Sequence, residues 1–182
     1  MRYHFSDSEL EDLWLLAGEF QGIKDNHKIQ SNRIAAEYED REMHYVNLKA
    51  THAAATILDR PYNRSVLVTG RKEAPIFLED NQSIRVYVRQ ADLSLYDPPD
   101  SDFVIMARPL RSIRLDPYVK SMKQHGYRNI ELLYCTRETF KKECKQAYMR
   151  GEWKWMLKSR RMRMNIKEIL TQEIIAHQPP LL

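Results

Sequence analysis

Near residue 60 the spacing of apolar side chains changes period, and that change constrains the fold more than any other feature of the sequence. Before it, "FSDSELEDLWLLAGEF" opens with Ser6 and, three residues on, Glu9, a reciprocal capping arrangement that satisfies orphan backbone donors. This predicts a first helix over about 7–20 that buries Leu10, Leu13, Leu16 and Phe20, ended by Gly22 and the polar stretch after it. From about 29 to 58, Ile34, Tyr38, Tyr45, Leu48, Ala55 and Leu58 recur at spacings of three, four and seven, which predicts a long second helix with one face on a core.

After residue 60 the apolar runs are short and rich in β-branched and aromatic residues. "SVLVTG" (65–70), "APIFL" (74–78), "SIRVYV" (83–88), "DFVIMAR" (102–108) and "NIELLYC" (129–135) read as strands bounded by turn residues such as "EDNQ" and "DPPD". "LDPYVKSMKQHG" reads as a short helix closed by Gly126, and Thr136 as the start of a basic helix through "RETFKKECKQAYMRG". "EWKWMLKSRRMRMN" reads as extended and "IKEILTQEIIAH" as a last helix. Helices, then a mixed sheet of about five strands, then helices define an α/β sandwich, with the sheet flanked by helices. At 182 residues, 43% of them hydrophobic, the chain is expected to form a single domain.

Charge is unevenly spread. Residues 1–59 carry a net −5 and residues 60–182 a net +9, and residues 136–167 hold 11 basic against 3 acidic residues. Such density favours a polyanionic partner. The opening residues lack the basic-then-apolar order of a secretory signal, and no apolar run is long enough to span a bilayer, so a cytoplasmic location without a membrane partner is expected. Cys135 and Cys144 lack metal-type spacing and are expected as free thiols. No two of the six histidines stand four residues apart, and His52 reads as a partly buried, satisfied side chain.

The string "HYVNLKATHAAATIL" (44–58), a strand pair, "DFVIMARP", "IELLYCTRETFKKE" (130–143) and the closing "RRMRMN" together resemble the phage-encoded branch of the PD-(D/E)XK nuclease-like, or restriction-endonuclease-like, fold. The likeness spans roughly 33–165. It implies an N-terminal helical extension (1–28), a nuclease-like core (29–165) and a C-terminal helix and tail (166–182). Active members hold a divalent metal with carboxylates and use a lysine beside them. At the matching positions this chain has Thr51, Pro75, Arg85 and Tyr87. Hard Mg²⁺ needs oxygen ligands, so the resemblance implies a scaffold without the family's metal site, and no cofactor is expected.

The function expected on this basis is nucleic-acid binding without cleavage, by a phage accessory factor in DNA replication, recombination or transcription that meets a polymerase or repair protein. Its contacts are expected from Arg85, Tyr87, Arg89, Lys154, Arg160, Arg161 and Arg163, as phosphate or stacking groups. Tyr148, Trp153 and Trp155 interleave with this basic run, a mixture suited to unpaired bases, although strand alternation would bury Trp153 and Trp155 on one side. Two alternatives stand beside it. One is an active Mg²⁺-dependent nuclease with relocated ligands from Glu37, Glu42, Asp80 and Asp92. The other is a protein-binding factor that modulates a host or viral enzyme. Whether the chain dimerises is left open.

Overall fold

The computed structural model describes residues 1–26, 40–64, 75–120 and 127–171. The expected strand at 65–70, the first third of the second helix with Ile34, Glu37 and Tyr38, the 121–126 stretch with His125, and the chain beyond 171 lie outside the described residues.

The chain is α/β, built on a mixed five-stranded sheet. In chain order the elements are β1 (Arg2–His4), α1 (Asp7–Asn26), α2 (Asp40–Leu58), β2 (Ile76–Phe77), β3 (Ser83–Val88), β4 (Leu93–Leu95), β5 (Phe103–Leu115), β6 (Tyr127–Thr136), α3 (Arg137–Glu143), β7 (Lys145–Met149) and β8 (Glu152–Leu157). A 3-10 turn, Ser159–Arg161, follows. The large sheet has the order β1-β6-β5-β3-β2, with β3 and β5 parallel and every other neighbour antiparallel. A second, antiparallel sheet has the order β4-β8-β7.

Alternation along the central strands sends side chains to two separate cores. Ile84, Phe103, Ile105, Ala107, Ile130, Leu132 and Tyr134 meet Leu10, Leu13, Ala17 and Phe20 of α1 and the Tyr45, Leu48, Ala53–Ala55 and Leu58 stripe of α2. Val104, Met106, Leu133 and Cys135 point the other way, to Phe140 of α3 and to Leu93, Leu95 and Leu157 of the small sheet. Helices cover one face, as expected. The other face is covered by one short helix and a three-stranded sheet, which the flanking-helix expectation lacked. Residues 2–20, read as an extension, supply β1 and part of the first core.

Three local expectations change. α1 runs through Gly18 and Gly22 to Asn26; at Gly18 a Cβ would stand 2.9 Å from the Arg41 guanidinium, which lies 3.9 Å from the Trp14 ring centre and donates to the Trp14 carbonyl at 2.9 Å. The expected helix from Leu115 begins instead with the end of β5 and a turn. There Asp116 accepts the Tyr118 N–H at 3.1 Å, and Pro117 follows it. Finally, the helix starting at Thr136 is capped as expected, its hydroxyl accepting the Thr139 N–H at 3.0 Å, but it ends at Glu143. Residues 145–149 pair with β8 through a two-residue turn at Arg150 and Gly151, both with positive φ (51° and 83°), the geometry that matches the twist of paired strands. Nonlocal pairing outweighs the local helical pattern there.

Candidate nucleic-acid interface

β3 sends Ile84, Val86 and Val88 toward α1 and α2, so Arg85, Tyr87 and Arg89 share the opposite face, as the alternation predicts. Both guanidinium carbons lie within 6 Å of the Tyr87 ring centre, 5.5 Å for Arg85 and 5.7 Å for Arg89. Arg89, however, is engaged by backbone. Its Nε and Nη2 donate to the Ser94 carbonyl at 3.1 and 3.0 Å, and its Nη1 to the Val88 carbonyl at 2.7 Å, which clamps the turn from β3 into β4. Tyr87 packs against the second core, and burial pushes its phenol above the ordinary value while the two arginines act against that. This row is half-buried and acts as a strut between the sheets.

The positions matched to a nuclease's metal ligands do not form one site. Thr51 is buried on α2, on the Ile84 side of the sheet, while Arg85 and Tyr87 face the other side. An arginine, a phenol, a proline and a threonine hydroxyl supply no carboxylate to a hard divalent cation. The relocated candidates are also apart. Glu42 is buried and accepts the Lys120 N–H at 3.0 Å, Asp80 accepts the Gln82 N–H at 3.0 Å, and Glu37 lies outside the described residues. Asp92 accepts the Ser159 N–H and the Lys158 ammonium, each at 2.9 Å. Burial alone would raise the Asp92 carboxyl, and those two donors bring it below the usual range. Among the described residues no three His, Cys, Asp or Glu side chains gather as a metal ion needs.

The basic residues near the C-terminal end form a different surface. Between 145 and 163 the chain has seven Lys and Arg against one Glu. Lys145, Arg150, Lys158, Arg160, Arg161 and Arg163 are all exposed. Arg160 has no ion-pair partner among the described residues. Arg161 stands 3.8 Å from Glu143 and Arg163 3.5 Å from Glu168, with 59% and 64% of their side chains in solvent. Exposed pairs of this kind contribute about 0–1 kcal/mol, so a phosphate can displace them. Lys154 differs: it sits on the outer face of β8, 4.4 Å from the Tyr96 ring centre and 3.5 Å from Glu152, whose other contact is the Tyr96 hydroxyl at 2.8 Å. It is a partly enclosed cation.

The tryptophans divide. Leu157, Trp155 and Trp153 share the inner side of β8, yet β4 is three residues long and pairs only with Trp155–Leu157. Leu157 is fully buried and Trp155 packs against the second core. Trp153 lies beyond the cover of β4 and is 63% exposed, against the expectation of burial. Its cross-strand partner Tyr148 is also 63% exposed, with ring centres 5.5 Å apart. Sequence reasoning noted both rings but left them, with Lys145, Arg150 and Lys158, out of the expected contacts. The signal was the alternation on either side of Arg150-Gly151, which reads as a hairpin.

Both cysteines are free thiols. Cys135 is buried, which pushes its thiol up to about 12 and leaves it unreactive. His52 is partly buried beside Glu9 at 3.5 Å, as expected of a satisfied histidine. No described helix is long and apolar enough to cross a membrane. Compared with known proteins, the chain matches no family model and no curated protein.

Proposed function

We propose that this protein binds nucleic acid through the β7–β8 hairpin and the turn that follows it, without cutting the strand. The observation that carries the reading is the cluster of exposed cations at Lys145, Arg150, Lys158, Arg160, Arg161 and Arg163, most of them without a strong internal partner. Arg85, Tyr87 and Arg89 support that surface from beneath, because the Arg89 clamp fixes β4 and β4 in turn holds β8. The acidic α1, with five Asp and Glu and no Lys or Arg over 7–20, packs on the opposite face of the large sheet and favours one orientation toward a polyanion.

A diverged restriction-endonuclease-like scaffold remains our reading of the fold. It is supported by a long helix, a mixed sheet and a strand that runs into the "TRE" helix. In a phage such a protein would serve replication, recombination or transcription in the host cytoplasm, holding DNA for a polymerase or repair protein.

The test is salt-titrated binding to labelled oligonucleotides, with Mg²⁺ and Mn²⁺ present in a parallel series. Affinity should fall steeply with salt, and changing Arg160 and Arg161 to Gln should reduce the log–log slope by about one unit each. The oligonucleotide should stay intact. Metal-dependent cleavage lost on substitution of Glu42, Asp80 or Asp92 would establish the nuclease instead, and no binding at low salt would leave the protein-binding reading.

A further inference from the structure

The exposed Tyr148–Trp153 pair is not explained by a cation surface, which needs no rings. From the exposed aromatic pair at the tip of the cationic β7–β8 hairpin, we infer that the protein takes single-stranded nucleic acid, with an unpaired base stacked on the tip and the flanking phosphates on the cations at its base. This rests on the nucleic-acid reading above and deepens it to a substrate class.

The geometry selects the mode of contact. A base held between two rings needs them parallel and about 7 Å apart, twice the ~3.4 Å stacking distance. Here the centres are 5.5 Å apart and the planes tilted by 59°, so the rings close on each other and offer their outer faces. A platform of that kind accepts the face of a base. In a duplex those faces are covered by neighbouring base pairs except at the ends, so an interior site on a duplex has nothing to give it.

The spacing is also suitable. From Trp153 down the strand to Leu157 is four residues, about 13 Å at ~3.3 Å each, and Lys158, Arg160 and Arg161 follow directly. That distance corresponds to about four stacked nucleotides at ~3.4 Å each. Ring and anchor can therefore engage one short strand together. Arg150, at the turn beside the rings, supplies a cation at the other end. Both rings are exposed and the inner side of β8 beneath them is already packed, so their replacement leaves the core intact.

The experiment compares a thymidine oligomer of about 12 nucleotides with an abasic oligomer of equal length, which has the same phosphates and no bases. Both are titrated against the full chain and against Trp153→Ala and Tyr148→Ala, with binding followed by anisotropy. The thymidine oligomer should bind about tenfold or more tightly than the abasic one, and either substitution should remove most of that preference while leaving abasic binding unchanged. Tryptophan emission should fall on adding the thymidine oligomer, and Trp153→Phe should abolish that change with Trp14 and Trp155 still present.

Equal affinity for the two oligomers would overturn the inference and leave the phosphate-based reading standing. If neither oligomer binds at low salt, both readings fail. If the wild-type chain is a dimer in solution and Trp153→Ala makes it a monomer, the tip is a protein contact and the inference falls. Circular dichroism of each variant establishes that it is folded before any comparison is made.

Discussion

Asp116 shows how much one side chain can organise. It is fully buried, accepts the Lys49 ammonium at 2.5 Å, the Tyr45 hydroxyl at 2.9 Å and the Tyr118 N–H at 3.1 Å, and so ties α2 to the turn after β5. Lys49 donates further to the Tyr127 carbonyl at 3.0 Å. Burial pulls the ammonium below its ordinary value while Asp116 acts against that, and burial next to the carboxylate pushes the Tyr45 phenol far up, so it stays a donor. Removing one partner leaves the other enclosed without its counter-charge and with hydrogen-bonding capacity unmet. Asp116→Ala should cost about 3–5 kcal/mol in urea unfolding, and the double change Lys49→Met with Asp116→Leu should recover most of it. A loss below about 1 kcal/mol for the single change would refute this account. Nothing in the sequence marked this pair, because the two residues are 67 positions apart and each is common on a surface.

At the scale of elements, the β7–β8 hairpin depends on a turn in which a non-glycine residue, Arg150, adopts φ 51° beside Gly151 at φ 83°. A Cβ at Gly151 meets nothing within 4 Å, so any penalty is a backbone one. Gly151→Ala should therefore destabilise the protein by about 1–2 kcal/mol and weaken oligonucleotide binding, both measurable in one purified variant. Elements with a strong local signal were legible in the sequence. β3 carries β-branched alternation, β6 a compact, largely apolar run from Ile130 to Cys135, and α3 begins at Thr136 with its capping hydroxyl. Of the hairpin, β8 was read as extended and β7 as helix, because "KKECKQAYMR" also suits one and its strand character comes from pairing with β8. The site divided in the same way. The basic run was visible in composition, but only tertiary packing separates Arg89, spent on the Ser94 carbonyl, from Arg160, which is exposed. The short reach of β4 is what exposes Trp153, and no local rule sets that length.

Taken whole, the molecule has an acidic helical side and a basic β side, separated by the large sheet. The two sides share strands. β5 and β6 contribute alternate residues to both cores, Ile105 and Leu132 to one and Met106 and Leu133 to the other. Substitutions in either core should thus be felt across the sheet, in contrast to a protein of two separable halves.

The parallel neighbours β3 and β5 carry this further. The chain leaves the large sheet at Val88, adds β4 to the small one and returns at Phe103, so each sheet is stitched into the other. Neither can be completed alone, and cutting the thread anywhere in 89–102 should unravel both. Urea titrations followed by far-ultraviolet dichroism and by tryptophan emission should give superimposable curves with one midpoint. Two separated midpoints would show that the stitch does not couple them.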